Sequence, residues 1–193
     1  MSKEKIFKAA RQLIENKGAG ALSMRKMATS VGLSAMATYK HYPSKDFLLL
    51  EVAAVGFEEL ASAGIQSAEG SVSKLDQIEK VLLAYFDYGI THAHLFELMF
   101  GAIREKKEIS SRFSESAAAG FQQFAAFTYE YVGQEKMKTE SFNFQSAYSL
   151  WAAIHGITTL VASGYMLPDL KKGMTKSEMA LELIRPTLKS LKE

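Results

Sequence analysis

The sequence predicts an all-α protein with a small N-terminal helix-turn-helix domain and a larger C-terminal helical domain. Apolar residues recur at spacings of three and four along most of the 193 residues, which is the period of an amphipathic helix. No stretch alternates strictly between apolar and polar residues over the length of a strand. Between Ser23 and Tyr42, two short helical patterns are separated by a single glycine, which is the layout of a helix-turn-helix.

The first helix is predicted over residues 2–16. Its apolar residues Ile6, Ala10 and Ile14 share one face, and most of its basic residues lie off that face. Two glycines within residues 18–20 then break the pattern. We expect this helix to pack behind the helix-turn-helix.

The helix-turn-helix begins at Ser23, a residue type whose side chain caps helix N-termini. Its first helix should end at Gly32, which accepts the left-handed backbone conformation that closes a helix. Ser34 should cap the next helix, predicted over residues 35–41, and Pro43 prevents its continuation. A helix in this position can enter the major groove of DNA.

This helix, the third of the chain, has side chains suited to contact with DNA. Ala35 and Ala37 are small enough to allow a close approach to base edges, and residues 38–41 supply hydroxyl groups, rings and positive charge. Lys45 lies at the start of the fourth helix, where free backbone N–H groups also favour a phosphate. The predicted DNA-contacting residues are Ser23, Arg25, Lys26, Ser34, Ala35, Met36, Ala37, Thr38, Tyr39, Lys40, His41 and Lys45.

The net charge of +2 hides an uneven distribution. Residues 1–50 contain nine Lys and Arg against three Asp and Glu, a net charge of +6, and the other residues contain 14 against 18, a net charge of −4. A basic patch at one end is the electrostatic footprint of a protein that binds a phosphate backbone. The expected partner is double-stranded DNA, although a solvated basic surface would carry the same charge.

The rest of the chain is predicted to be helical. A fourth helix from Lys45 to about residue 63 would join the N-terminal domain to the remainder, and the small and polar residues 64–73 are the predicted loop after it. Further helices are expected at residues 73–91, 94–103, 110–131, 139–163 and 176–189. Pro186 should kink or shorten the last of these. The predicted domains are residues 1–46, which bind DNA, and residues 47–193, which bind a ligand and dimerise.

The C-terminal domain is rich in aromatic residues, because 15 of the 21 in the chain lie between Tyr85 and Trp151. Bulky rings from several helices tend to leave an irregular apolar cavity, the usual form of a small-molecule site. A core built with aromatic residues is the simpler explanation for any one of them. The predicted ligand-contacting residues are Tyr85, Phe86, Phe96, Met99, Phe100, Phe121, Phe124, Tyr148, Trp151 and His155.

The N-terminal residues resemble those of TetR-family transcriptional regulators. The matching segments, within about residues 3–55, are Gly32-Leu-Ser, Tyr39-Lys-His-Tyr, Pro43-Ser-Lys-Asp and Leu48-Leu49. Met36 and Thr38 depart from the residues that family members often carry, which concerns the operator sequence rather than the fold. The resemblance implies a cytoplasmic regulator, expected to be a repressor, that binds a palindromic operator and is released by a small, largely apolar effector.

A second resemblance is narrower. Residues 151–156 (Trp-Ala-Ala-Ile-His-Gly) are similar to the Trp-His-Gly motif that names one group of TetR C-terminal domains. Trp151 and His155 share a helix face, and Gly156 would permit the close approach of another helix. His155 would either orient a ligand or serve as a hydrogen-bonded core or interface histidine.

The family resemblance also implies a homodimer, because family members pair through two C-terminal helices from each subunit. Residues 148–165 are apolar or small nearly all round, as expected of a helix buried on both faces. A two-fold dimer would present two recognition helices to half-sites one DNA turn apart, although a monomer core explains the same pattern. The apolar residues assigned to this interface from the last helix are Met179, Leu183, Ile184, Leu188 and Leu191.

The sequence contains no pattern for catalysis, metal binding or a cofactor. His92 and His94 are two residues apart, so they face different sides of a helix and do not suit a metal pair. There is no HExxH motif, glycine-rich phosphate loop, G-x-S-x-G elbow or cysteine. The charged N-terminus does not resemble a signal peptide. The uncharged residues 141–168 include too many polar side chains for a membrane-spanning helix. We expect no enzyme activity, no cofactor, no metal and no membrane association.

Three other functions fit the same sequence. The C-terminal domain of a DNA-binding regulator could answer to a protein partner rather than to a small molecule. The chain could also be a helical ligand-binding protein without DNA activity. A helical-bundle enzyme with a dispersed site is the third. Binding to duplex DNA and thermal stabilisation by small molecules test the first two.

Overall fold

The computed structural model describes residues 2–101, 110–133, 140–164 and 173–192, with the side chains of residues 140–143 left out. Within these ranges the chain forms nine α-helices, one 3-10 turn at Ala19–Ala21 and no strand, which confirms the all-α class. No helix in these ranges is long and apolar enough to cross a membrane. The helices are α1 (Ser2–Lys17), α2 (Met24–Ser30), α3 (Ala35–His41), α4 (Lys45–Ala68), α5 (Lys74–Thr91), α6 (Ala93–Gly101), α7 (Ser111–Val132), α8 (Glu140–Ala162) and α9 (Lys176–Ser190).

The fourth helix is longer than predicted, because α4 continues through residues 64–68 of the predicted loop. Gly64 is buried in this part of the helix, and a Cβ added there would lie 3.8 Å from the side chain of Val81 on α5. Packing against α5 therefore outweighs the weak helical tendency of these small and polar residues. Only residues 69–73 separate the two helices.

The last helix begins with a capping box. The Thr175 hydroxyl accepts a hydrogen bond from the backbone N–H of Glu178 at 3.2 Å, and the Glu178 carboxylate accepts one from the backbone N–H of Thr175 at 2.7 Å. Pro186 was predicted to kink or shorten this helix. It does not shorten it, since α9 continues past the proline to Ser190, and a kink at Pro186 stays a prediction. Buried Ile184 and Leu188 lie on either side of the proline, and their burial offsets the hydrogen bond that proline cannot donate.

The chain folds as two compact units, each made of segments that are distant in sequence. The first unit contains Met1–Glu58 and His92–Ala118, and the second contains Glu59–Thr91 and Ala119–Glu193. Helices α4 and α7 supply residues to both units. This division differs from the predicted domains 1–46 and 47–193, which are defined by function and stay a prediction.

In the first unit, α1 packs against α2, α3 and α6. The buried residues of α1 are Ile6, Ala10 and Ile14, as its spacing predicts. The rest of the helix-turn-helix core comes from α2, the end of α3 and the start of α4. Its buried apolar residues are Leu22, Met24, Met27, Ala28, Tyr42, Leu48, Leu49, Leu50 and Val52.

In the second unit, α5, α8 and α9 pack against one another. The assignment of Ile184 and Leu188 to a surface for self-association is wrong, because both are buried in the core of this unit. Met179, Leu183 and Leu191 are half-buried, and their part in self-association stays a prediction. The core positions shared by these three helices are Ile78, Val81, Leu82, Ala147, Leu150, Ile154, Ala180, Ile184 and Leu188.

Candidate functional site

The second and third helices form the predicted helix-turn-helix, with the predicted boundaries. Ser23 caps α2, its hydroxyl oxygen lying 3.4 Å from the backbone nitrogen of Lys26. Gly32 has φ 71°, the left-handed conformation expected where α2 gives way to the turn. Ser34 caps α3 by accepting a hydrogen bond from the backbone N–H of Ala37 at 3.1 Å. Each boundary thus depends on a residue that satisfies its own helix end.

Helix α3 exposes apolar, aromatic and basic side chains together. Met36 is 74% exposed and Tyr39 is 48% exposed. Lys40 and His41 are exposed at the end of the helix, and the alanines on either side of Met36 are half-buried. These are side-chain types that contact bases and phosphates, and the contacts themselves stay a prediction.

Thr38 requires a correction to the predicted set of DNA contacts. Its side chain is fully buried, and its hydroxyl donates to the backbone carbonyl of Ser34, with 3.3 Å between the oxygens. A side chain enclosed in this way cannot reach a base edge. The Thr38 side chain therefore belongs to the buried face of α3 rather than to the face that could contact DNA.

Basic side chains also lie on the helices next to α3. Arg25 and Lys26 are exposed in the first turn of α2, and Lys45 is half-buried at the first position of α4. Helix α4 is capped by Ser44, whose hydroxyl accepts a hydrogen bond from the backbone N–H of Phe47 at 3.0 Å. Positive charge is thus present on the helices that precede and follow α3 in the chain, and basic side chains of this kind contact phosphate groups.

Tyr42 fixes the end of α3. Its ring is buried, and its hydroxyl donates to the backbone carbonyl of Lys3 in α1, with 3.5 Å between the oxygens. Burial raises the pKa of Tyr42, and the negative charge of Glu51 raises it further. The recognition helix is therefore held at its C-terminal end by a neutral tyrosine packed against α1.

Arg112 of α7 forms a cluster with two carboxylates of α4 that the sequence did not predict. Its guanidinium donates to Glu58 through Nη2 at 3.0 Å and Nε at 3.2 Å, and to Glu51 through Nη1 at 3.2 Å. The Ser116 hydroxyl also donates to Glu58, at 3.0 Å. These acceptors, Glu58 above all, raise the pKa of Arg112. The start of α7 is therefore attached to the part of α4 that follows the helix-turn-helix.

A second unpredicted cluster joins α6 to the end of α1. His94 Nδ1 donates to the backbone carbonyl of Glu15 at 3.0 Å, and His92 Nδ1 lies 3.5 Å from the Glu15 carboxylate. The same carboxylate accepts a hydrogen bond from Arg11 Nε at 3.0 Å. The two histidines therefore reach one residue, one through its backbone and the other through its side chain.

Three of the predicted ligand-contacting residues lie in the first unit. Phe96 and Phe100 have ring centroids 4.7 Å apart, and Phe57 meets Phe100 edge-on at 5.1 Å. Phe57 also meets Phe113 edge-on at 5.7 Å, and Met99 is fully buried. These contacts form an aromatic core around the middle of α4.

The other seven lie in the second unit, where three polar atoms meet among the rings. The indole N–H of Trp151 donates to the Tyr85 hydroxyl at 3.0 Å, and that hydroxyl oxygen lies 2.9 Å from His155 Nδ1. Burial raises the pKa of Tyr85 and lowers the pKa of His155. Phe86 is fully buried beside Tyr85 in α5, and the centroid of Phe124 lies 6.4 Å from that of Tyr85.

The aromatic contacts of this group continue to the surface along α7 and α8. The ring centroid of Phe121 lies 5.7 Å from Trp151 and 4.7 Å from Tyr148. Phe144, with 54% of its surface exposed, has its ring centroid 4.3 Å from that of Tyr148, with the two rings tilted by 36°. A run of rings therefore leads from solvent to the polar atoms of Tyr85, Trp151 and His155. Contact of these residues with a ligand stays a prediction.

The lowered pKa of His155 predicts a pH-dependent stability. Because burial disfavours the charged imidazole, the unfolded chain binds this proton more readily than the folded protein does. The contribution is complete above the unfolded pKa of about 6.5 and is lost as the pH falls below it. His155→Gln should therefore show a smaller fall in the free energy of unfolding between about pH 7 and pH 5, measured by urea titration.

The exposed Ile65 offers a control for that measurement. Ile65→Gln places a glutamine on the surface of the same unit without removing a titratable group, so it should keep the pH dependence of the unchanged protein. If the free energy of unfolding falls equally with pH in His155→Gln and in the unchanged protein, His155 does not contribute to the pH dependence of stability.

Two short capped helices joined at a left-handed glycine, the second with an exposed basic end, place the protein among the helix-turn-helix DNA-binding regulators. Residues 6–52 match the family described as bacterial regulatory proteins, tetR family, and residues 78–180 match the tetracyclin repressor-like C-terminal domain. The chain belongs to the TetR family of transcription regulators. The narrower resemblance to the Trp-His-Gly group stays a prediction.

Solved structures share this fold along nearly the whole chain. A protein of unknown function from Rhodococcus sp. RHA1 is 22% identical, with a TM-score of 0.83 over 99% of this chain and 95% of the other. The TetR-family regulator PfmR from Thermus thermophilus is 21% identical, with a TM-score of 0.66 over 96% and 97%. A tetR-family regulator from Streptomyces coelicolor is 15% identical, with a TM-score of 0.73 over 98% and 79%. No curated protein matches the chain.

Proposed function

We propose that the chain is a homodimeric transcription repressor that binds a palindromic DNA operator and is released by a small, largely apolar molecule. The observation that carries the proposal is the exposed surface of α3, where Met36, Tyr39 and Lys40 project beyond two half-buried alanines. A protein with this role would act in the cytoplasm and needs neither enzyme activity nor a cofactor.

The DNA-binding step uses α3 for base edges and the neighbouring basic residues for phosphates. Lys40 lies in the last turn of α3, Arg25 and Lys26 lie at the start of α2, and Lys45 is the first residue of α4. A major groove of DNA admits an α-helix such as α3. The excess of basic residues within positions 1–50 supports the same assignment.

The dimer is proposed to form through α8. One face of this helix leaves Tyr148, Ala152 and Leu160 exposed at helical spacing, and Leu160 is 52% exposed. An exposed stripe of apolar and small residues is the usual composition of an interface between helices. Pairing through this stripe would give the two-fold symmetry that a palindrome requires.

The effector is proposed to bind among the rings of the second unit. Tyr85, Trp151 and His155 offer hydrogen-bonding atoms among aromatic surfaces, which suits a largely apolar molecule with a polar group. Release from DNA requires that the molecule bind two conformations of the dimer differently, by about 1–3 kcal/mol for typical coupling. Helices α4 and α7, which supply residues to both units, are the proposed connection.

Neutralising Lys40 tests the DNA-binding step. The operator for this test is a duplex selected from a randomised pool by the full chain. Lys40→Ala should weaken binding about tenfold on all duplexes and lower the slope of log affinity against log salt by about 2 for a dimer, because one phosphate contact is lost in each half-site. Fluorescence anisotropy across a range of salt concentrations measures both quantities.

Lys80→Ala is the control for that change. Lys80 pairs with Asp76 at 2.9 Å in the second unit, so its removal should leave the affinity and the salt slope unaltered. If the unchanged protein binds no duplex at low salt, the proposed repressor function is wrong, and a helical ligand-binding protein without DNA activity becomes the better explanation. If it binds DNA but no small molecule raises its melting temperature, a protein partner replaces the effector.

A further inference from the structure

Met36 is more exposed than any other large apolar side chain on the helix-turn-helix as described in the structure, with 74% of its surface in contact with solvent. It lies in the first turn of α3, at the second helical position. The alanines on either side of it are half-buried, so its thioether is the exposed group of this turn.

The position of Met36 faces the same side as two polar groups. Residues three and four apart share a helix face, so Met36, Tyr39 and Lys40 form one surface. All three are exposed. The N-terminal part of a recognition helix is the part that contacts base edges, which places Met36 nearer to the bases than Lys40.

The chemistry of methionine limits what this side chain can recognise. A thioether donates no hydrogen bond and is a weak acceptor, so it cannot pair with the polar edges of guanine, adenine or cytosine. The C5-methyl group of thymine is the apolar feature of the major groove, and apolar side chains recognise it by contact. A long, flexible and polarisable side chain is well suited to such a contact.

We infer that Met36 is a specificity-determining residue that recognises the C5-methyl group of a thymine in each half-site of the operator. This inference rests on the proposed binding of α3 to DNA, and it adds the identity of one base pair in the recognised sequence. Contact of Met36 with a sugar instead would give affinity without a preference for any base.

Deoxyuridine, which lacks the methyl group, separates these two contacts. The duplex is one selected by the full chain from a randomised pool, and each thymine and its symmetry mate are replaced in turn by deoxyuridine. At one position the affinity of the unchanged protein should fall about fourfold per half-site, the effect of one methyl group removed from an apolar contact. At that position Met36→Ala should bind the thymine and deoxyuridine duplexes equally.

Two further variants make the result specific. Met36→Leu keeps an apolar side chain and should keep the sensitivity to deoxyuridine. Ile65→Ala shortens an exposed apolar side chain of the second unit and should behave as the unchanged protein does. Because Met36 is on the surface, its replacement should leave the folded state intact, which circular dichroism verifies.

The outcomes distinguish this inference from the proposed function. If the protein binds no duplex, the proposed function and the role of Met36 are both wrong. A protein that binds a selected duplex with no position sensitive to deoxyuridine remains a DNA-binding regulator, and the role of Met36 is overturned. Sensitivity that persists unchanged in Met36→Ala assigns the methyl contact to another residue and also overturns it.

Discussion

Replacing Phe113 by alanine is expected to destabilise the unit that carries the helix-turn-helix, although Phe113 belongs to α7. The side chain is almost completely buried in the first unit and meets Phe57 of α4 edge-on at 5.7 Å. Truncation of a buried phenylalanine costs about 3–5 kcal/mol, a large part of the total of about 5–15 kcal/mol that stabilises a domain. Urea unfolding of the full chain measures the loss, and binding to a selected duplex should weaken with it.

Two variants calibrate the expected loss. Phe113→Leu keeps most of the apolar volume and should cost clearly less than the alanine. Phe144→Ala removes the same number of atoms at an exposed position of α8 and should cost about 1 kcal/mol or less. A loss below about 1 kcal/mol for Phe113→Ala would mean that α7 does not support the first unit.

The helix-turn-helix was predictable because its boundaries depend on residues next to them in sequence. Ser23 and Ser34 each accept a hydrogen bond from the first turn of their own helix, and Gly32 supplies the backbone conformation between them. The residue type at each of these positions therefore predicts where a helix begins or ends. The buried face of α1 was predictable for a similar reason, since helical spacing alone determines it.

Features that depend on distant contacts were not predictable. Helix α4 continues through Gly64 because this position packs against Val81, and no local signal reports that neighbour. Arg112 finds Glu51 and Glu58 at sequence separations of 61 and 54 residues. The two compact units follow such contacts rather than the order of the chain, which explains why a single boundary at residue 46 does not describe them.

The side of α3 that faces DNA was predictable only in part. The small and polar side chains of residues 35–41 predicted that all of them could contact DNA, whereas Thr38 is buried and its hydroxyl donates to the backbone carbonyl of Ser34. A threonine in a short helix can bond to the carbonyl four residues earlier or face solvent, and the sequence does not distinguish these alternatives. Likewise, the number of rings predicted an aromatic interior, and the grouping around Tyr85 required the structure.

Replacing Gly156 by leucine is expected to abolish the proposed dimer while leaving the subunit folded. Apart from its two chain neighbours and the nearby backbone of α8 itself, no heavy atom in the described part of the chain lies within 4 Å of the position that a Cβ on Gly156 would occupy. Leucine should therefore fit the isolated subunit, and it raises the helix propensity of this position by about 1 kcal/mol. If a second α8 approaches at this glycine, the added side chain blocks it. Sedimentation should change from dimer to monomer, and operator affinity should fall by about 10²- to 10⁴-fold as the two half-sites become independent.

Ala126→Leu provides the matched control, because it adds a comparable side chain at an exposed position of α7. It should leave both sedimentation and operator affinity unaltered. If Gly156→Leu still sediments as a dimer, the interface does not include this part of α8. If the unchanged protein sediments as a monomer, the proposed dimer is wrong.

Gly156→Leu is informative because it should abolish association without lowering the stability of the subunit. A misfolded subunit would lose its dimer together with its stability, and operator affinity would fall for a trivial reason. The free energy of unfolding of the dissociated chain, obtained from the concentration dependence of the transition, should instead stay equal or rise. If two α8 helices meet closely at Gly156, the leucine side chain clashes only when the second subunit is present. The variant should then lose association while its subunit stays as stable as before or becomes more stable.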